Sequence, residues 1–291
     1  MINGIVFCDL DGTLLTSNLK ITKQTKQTVK KLKDKNVEFV LTSGRSFRFV
    51  KNISNQLSDS DFVISSNGAL IKNQKTNEIL FLKSIPNKLV LKIFKLANKL
   101  ECDAFIESAD VTFKNHEFET EVLSEIINTK QLKQILKTLP IIKACIESYN
   151  KQKLQTLIKK IQKFKEIKIA HMSNVLYDPL APHNPDEKFF IDINNKDVAK
   201  GAAINFLIDY LKVDPKNVVS IGDSSNDFSM FEISGTDVAM GNSLNDLKSS
   251  ADFVTKTNDE SGVAVFLEKF FKLWFIILFF YLNFLFIILI F

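Results

Sequence analysis

The sequence is short of the residues that build covalently or metal-stapled frameworks. Cysteine occurs only at Cys8, Cys102 and Cys145, and histidine only at His116, His171 and His183. There is no CxxC pair, and no histidine has a partner at metal-ligand spacing. An odd, scattered set of thiols excludes a disulfide framework and fits a reducing compartment. Cys8, inside an apolar run, reads as a small hydrophobe. That run, residues 4–8, is broken by Asp9 and Asp11 far too early for a secretory signal, so a cytoplasmic location is expected. The chain also lacks internal repeats and low-complexity linkers.

Basic charge is in excess, with a formal net charge of +5, but it is dispersed in runs such as Lys30-Lys31-Leu32-Lys33. No basic stripe alternates with stacking aromatics, so the lysines read as solvated helix faces and no nucleic-acid partner is expected. A mild positive field still favours small anionic ligands in a cleft. What is present is ordinary globular material: 291 residues, 45% hydrophobic and 24% charged, enough for one large or two medium domains.

The first third alternates strands and helices. Gly4–Cys8 is an apolar run ended by acidic residues, as in a strand buried on both faces. Thr22 caps a helix expected to reach about Lys35, with Val29 and Leu32 as its apolar contacts. Residues 37–41 form a second strand, a helix runs to about Leu57, and Phe62–Ile64 is a third strand. Short joins in this alternation imply a parallel sheet with right-handed crossovers. The last third carries the same grammar: strand 189–193, helix Lys200–Leu211, strand 218–221, then short strands at 237–240 and 252–254. Residues 84–187 differ, with helices 89–100 and 151–164 among strand-like stretches at 141–146 and 167–171. They read as an inserted α+β unit bounded by Ser84-Ile85-Pro86 and the loop Pro179–Pro185, since domain termini often lie close together.

The chemistry concentrates at strand ends. Asp9-Leu10-Asp11-Gly12-Thr13 places two carboxylates, one residue apart, where open α/β sheets bind ligands. One can attack phosphorus while the other protonates the leaving oxygen and then activates water. Gly12 permits the turn that aims them. A chance match to this pentapeptide pattern is on the order of one in several hundred for such a chain. Three further segments follow in order: Thr42-Ser43-Gly44-Arg45 after the second strand, Lys200-Gly201 at a helix start, and Gly222-Asp223-Ser224-Ser225-Asn226-Asp227 after the strand 218–221.

Together these resemble the four motifs of the haloacid dehalogenase superfamily. Asn67-Gly68-Ala69, Ala239-Met240-Gly241-Asn242, and Ala251-Asp252 leading to Asn258-Asp259-Glu260-Ser261-Gly262-Val263 resemble its Cof-type subfamily IIB. The second motif departs from the usual Ala-Thr-Gly-Arg, but Ser43 supplies the same hydroxyl. The resemblance covers residues 1 to about 270. It implies an α/β fold with a Rossmann-like core of parallel sheet (1–83 and 188–270) and an inserted α+β cap (84–187). It implies a Mg²⁺-dependent phosphatase acting on a small phosphorylated metabolite such as a sugar phosphate. On this resemblance Asp9 is the nucleophile and Asp11 the acid and base. Ser43, Gly44, Arg45, Lys200, Asn226 and Asn242 hold phosphate and substrate. Asp9, the Asp11 carbonyl and Asp223 hold the metal, with Asp227 orienting that set. A phosphosugar mutase and a membrane-attached regulatory protein on the same scaffold are the alternatives.

From Trp274 to Phe291 only Asn283 interrupts an apolar run of 18 residues, outside the resemblance. A helix of that length spans about 27 Å, against a hydrocarbon core of about 30 Å. Three readings stand: a membrane anchor with Lys269 and Lys272 on the cytoplasmic side and Trp274 at the interface, a helix packed on protein, or the composition of an AT-rich gene.

Overall fold

A computed structural model of the chain describes residues 2–57, 60–120, 122–173 and 186–273. The loop expected at Pro179–Pro185, with His183, and the apolar run 274–291 lie outside the described residues. In chain order the strands are β1 (Gly4–Cys8), β2 (Val37–Thr42), β3 (Phe62–Ser65), β4 (Leu70–Asn73) and β5 (Ile79–Leu82). Then come β6 (Asp103–Glu107), β7 (Thr112–Lys114), β8 (Glu125–Ile126), β9 (Lys143–Ser148), β10 (Ile167–Met172) and β11 (Phe189–Asn195). The last are β12 (Val218–Gly222), β13 (Thr236–Ala239) and β14 (Phe253–Val254). The result is an α/β fold. Its chain divides into two compact units.

The first unit takes Met1–Leu41, Ile53–Ser60 and Ile208–Phe291. Its strands run in the order β14-β13-β12-β1-β2, each pair parallel, as the strand–helix alternation predicts. β1 has neighbours on both sides and every residue buried, which is why its sequence is a continuous apolar run. The helix Lys23–Lys33 begins where Thr22 accepts a hydrogen bond from the Thr25 N–H, and it buries Val29 and Leu32. Its Thr28 hydroxyl donates to Glu268 of the helix Gly262–Phe270 at 2.6 Å. Leu273, just past that helix, is also buried, at 3% exposed.

The second unit takes Thr42–Asn52 and Asp61–Leu207. It contains the antiparallel meander β3-β4-β5 and a six-stranded sheet in the order β10-β11-β9-β6-β7-β8. Only β7 and β8 pair in parallel within that sheet. Strands alternate their side chains between two faces. Ala104, Ile106, Ala144, Ile146, Ile191 and Ile193 join the core formed with helices Asn87–Lys99 and Lys151–Ile161. The intervening residues, among them Glu107, Lys143, Asp192 and Asn194, occupy the other face. β11 therefore differs from expectation: it pairs antiparallel with β9 and β10 and does not continue the parallel grammar. Its alternation of Ile191 and Ile193 with Asp192 and Asn194 suits a sheet with one polar face, whereas β1 has none.

Asp237 on β13 provides a pH test. Burial raises its carboxyl to about 6, against the Ser234 hydroxyl that donates to it and with Asp252 adding repulsion. Between about pH 4 and 6 the folded chain thus keeps a proton that the unfolded chain has released. Stability from this group is full below that window and is lost as pH rises through it. Asp237→Asn should raise the urea midpoint at pH 7 and leave it nearly unchanged at pH 4. Equal shifts at both values would contradict this account.

Candidate active site

In the first unit, β1 delivers its last residues to a tight loop. The Asp9 N–H still donates to Ile221 at 3.0 Å, extending the β1–β12 ladder by one bond. The chain then turns back on itself. Thr13 and Leu15 N–H groups donate to the Leu10 carbonyl, at 3.3 and 2.9 Å, and Leu14 donates to Asp9 at 3.3 Å. Gly12 sits in this turn at φ +77°, and a Cβ there would lie 2.4 Å from Asp223 Oδ2. Both the backbone conformation and the close approach demand glycine.

β12 supplies the facing loop. The Thr13 hydroxyl donates to Asp223 Oδ1 at 2.9 Å. Asp227, fully buried, accepts the N–H groups of Asp223 and Ser224 on one oxygen, each at 3.0 Å. These bonds wrap the loop around its own carboxylate. A Cβ on Gly222 would meet the Asp227 side chain at 2.6 Å, so the absence of a side chain there is what allows the wrap. Asn226 accepts from the Ser224 hydroxyl at 2.7 Å. Asn242 donates to the Gly12 carbonyl at 2.8 Å and accepts from the Asn258 N–H at 3.0 Å. Asn258 in turn donates to Leu15 at 2.8 Å. Asn242 thus braces the Asp9–Thr13 loop through both ends of its amide.

The outcome is crowding of like charge. One carboxylate oxygen each from Asp9, Asp223 and Asp227 lies within 4.8 Å of the others, with Asp9 only 5% exposed. Carboxylates this close repel strongly unless a cation or a proton offsets them. An all-oxygen, partly buried set fits a hard divalent cation such as Mg²⁺. Asp227 already receives two N–H donors, which suits orienting the set better than ligating. Asp11 lies two residues beyond Asp9, half-buried in the same loop.

Ser43, Gly44, Arg45 and Lys200 belong to the second unit. Ser43 is buried; its N–H donates to Ile64 and its carbonyl accepts from the Asn67 N–H, both at 3.0 Å. Its hydroxyl accepts the Arg45 N–H at 3.1 Å. The Arg45 guanidinium lies over the Phe49 ring, 5.1 Å from its centroid. Lys200 is 1% exposed and opens the helix Lys200–Leu211. The turn Ser66–Gly68 abuts that helix start, since a Cβ on Gly68 (φ +95°) would fall 2.3 Å from the Ala199 carbonyl oxygen. Sequence reasoning did not single out Lys143, Glu107, Asp192 or Asn194, which are buried beneath this loop and turn. Their signal was polar residues at alternate positions of otherwise apolar strands.

The haloacid dehalogenase-like hydrolase family matches residues 6–267. The chain belongs to that family. Among its relatives, a Bacillus subtilis (strain 168) protein named 5-amino-6-(5-phospho-D-ribitylamino)uracil phosphatase YwtE is 27% identical over 281 residues, covering 90% of this chain and 96% of the relative. A haloacid dehalogenase-like hydrolase from Bacteroides thetaiotaomicron superposes with a TM-score of 0.78 at 24% identity, covering 92% and 99% of the two chains. The HAD subclass IIB sugar phosphatase BT4131 superposes at 0.72 with 19% identity, covering 93% and 99%. As a haloacid dehalogenase-like hydrolase the chain is an enzyme of a superfamily that generally uses Mg²⁺, and its acidic cluster is of the matching chemistry.

Asp227→Ala would take from the half-buried Asp223 and Ser224 N–H groups their shared acceptor. The expected cost is at least about 2 kcal/mol, from two hydrogen bonds to a charged acceptor. Urea denaturation measures it, and a loss below about 0.5 kcal/mol would mean that the loop does not depend on this carboxylate.

Proposed function

We propose that this chain hydrolyses a small phosphorylated metabolite through an aspartyl phosphate formed on Asp9. That the chain is a haloacid dehalogenase-type phosphatase rests on the family match and on relatives that bear phosphatase names. The observation that carries the finer reading is the acidic cluster of Asp9, Asp223 and Asp227 at the end of the buried strand β1, with Asp11 in the same loop.

On this reading an Asp9 carboxylate oxygen attacks phosphorus, and the bond from phosphorus to the ester oxygen breaks as Asp11 gives that oxygen its proton. Asp11 then takes a proton from water, whose oxygen attacks phosphorus, releasing inorganic phosphate and restoring the Asp9 carboxylate. Asp9, the Asp11 carbonyl and Asp223 would hold Mg²⁺, which offsets the charge of carboxylates and phosphate when bound. Ser43, Gly44 and Arg45 would hold phosphoryl oxygens by hydrogen bonds, with Lys200 as the matching point charge. Asn226 and Asn242 would support phosphate and substrate through their loops. Rate would come mainly from positioning and fixed charge.

Residues 84–187 would act as the substrate cap. Since β11 completes their sheet, the cap in this proposal extends to Asn195. The name of the relative YwtE, a phosphatase of a ribityl-bearing phosphoester, supports a small polyhydroxylated leaving group. No helix among the described residues is long and apolar enough to cross a membrane.

The test is turnover on a panel of phosphorylated metabolites with Mg²⁺. Asp9→Asn should lose at least about 10³-fold in kcat, as expected when a covalent nucleophile is removed. Near-normal turnover in that variant would defeat the mechanism. Excess chelator should abolish activity and added Mg²⁺ restore it, with Ca²⁺ a poor replacement because it prefers more ligands at longer distances. Full activity in chelator would remove the metal from the account.

A further inference from the structure

The loop Ser43–Arg45 has three successive carbonyls, and each is claimed by a donor of the second unit. Ser43 accepts from the Asn67 N–H at 3.0 Å and Arg45 from the Ser66 N–H at 2.9 Å. Between them, Gly44 accepts from the Lys143 ammonium at 2.7 Å. The outer two donors are ordinary backbone groups. The middle one is a charge brought from β9, on a different sheet.

Lys143 is held in place by a closed set of partners. It is 5% exposed and reaches Glu107 at 3.0 Å and Asp192 at 3.5 Å. Each carboxylate is fixed in turn by the turn Ser66–Gly68: Ser66 donates to Glu107 at 3.3 Å and Asn67 to Asp192 at 3.1 Å. Asn67 also donates to Asn194 at 3.0 Å, and Asn194 donates to the carbonyls of Ser66 and Ile142 at 3.1 and 2.9 Å. Ser66 and Asn67 adopt φ of +51° and +63°, a conformation that non-glycine residues hold only when surroundings enforce it. Burial pushes the Lys143 ammonium toward losing its proton, but Asp192 and Glu107 outweigh it and its pKa lies above the ordinary lysine value. The two carboxylates thus favour the charged form of the buried ammonium.

The peptide joining Gly44 to Arg45 carries its effect onward. A peptide unit is planar, so a carbonyl drawn one way turns its N–H the other way. Here the carbonyl end meets Lys143 and the N–H end donates to the Ser43 hydroxyl oxygen at 3.1 Å. A cation on the carbonyl makes the N–H a stronger donor. A serine hydroxyl has one proton to give and lone pairs to receive. With a lone pair occupied by Arg45, the hydroxyl proton is directed away from its own loop.

We propose that Lys143 is a positioning residue for Ser43, acting through the Gly44–Arg45 peptide so that the Ser43 hydroxyl stands as a donor to the transferring phosphoryl group. The proposal rests on the reading of Ser43 given above. A merely structural Lys143 would weaken the fold without depending on Ser43.

A double-mutant cycle separates the two, with p-nitrophenyl phosphate and Mg²⁺ as the probe and urea unfolding of every variant alongside. Lys143→Met should lower kcat by about 10- to 100-fold, the scale of a lost hydrogen bond to a charged group, with KM changed by less than about threefold. Ser43→Ala should cost at least as much. In the Ser43→Ala background, Lys143→Met should cost less than about twofold more, because the group through which it acts is gone. If Lys143→Met does not fold, Lys143→Met/Glu107→Gln, which removes the matching buried charge, replaces it in the same cycle. Wild-type kcat for Lys143→Met, or losses that multiply independently, would overturn the proposal while leaving the role of Ser43 intact. Failure of both Lys143 variants to fold would overturn it in favour of a structural role. Wild-type turnover in Ser43→Ala would overturn the reading of Ser43 itself, and the proposal with it.

Discussion

Repulsion among carboxylates gathered at the end of β1 is the constraint to which the first unit answers. Such a cluster unfolds its own loops unless each oxygen is given something to bind. Thr13 provides for Asp223, and two backbone N–H groups provide for Asp227. Glycines at positions 12 and 222 let the two loops close over these groups without steric conflict. The charge that remains is of the kind a hard divalent cation offsets.

The second unit solves the opposite problem. Its six-stranded sheet hides one face against helices and loads the other with Glu107, Lys143 and Asp192. Two carboxylates share one ammonium in a closed space. Burial raises Glu107 above the usual carboxylate range despite the attraction of Lys143. Desolvating such a set is expensive, and apolar replacements of similar volume are often as stable. Beneath the loop Ser43–Arg45 its ammonium donates to the Gly44 carbonyl, a contact that an apolar replacement could not make.

Much of this was legible in the residues. A fully apolar pentapeptide before Asp9 specified a central parallel strand, and Thr22 marked a helix start because a hydroxyl there can take the first free N–H. The acidic pentapeptide and the glycine-bounded segment 222–227 marked the two loops that meet. β11 was misread because its apolar count resembles β1, while the real discriminant is the alternation of Ile191 and Ile193 with Asp192 and Asn194. The Lys143 network was illegible for a different reason. Its members come from β6, β9, β11 and a 3₁₀ turn, and nothing short of the sheet register brings them together. Spacing along a sequence finds groups that share a loop; it does not find groups that share a rung.

The hydrogen bond from Thr13 to Asp223 joins residues 210 positions apart. During synthesis Asp9 leaves the ribosome long before Asp223 exists, whereas every member of the Lys143 network precedes residue 195. The loop around Ser43 can therefore be completed while the acidic cluster still lacks two of its three carboxylates, Asp223 and Asp227. Contacts of such separation are slow to form, because the intervening chain must be ordered before they contribute. In the nascent chain the bonds around Ser43 can thus form before the carboxylates of Asp9, Asp223 and Asp227 are brought together. A truncated product ending before β12 would carry Asp9 and Asp11 without Asp223 and Asp227, and so without the cluster that the three close carboxylates form.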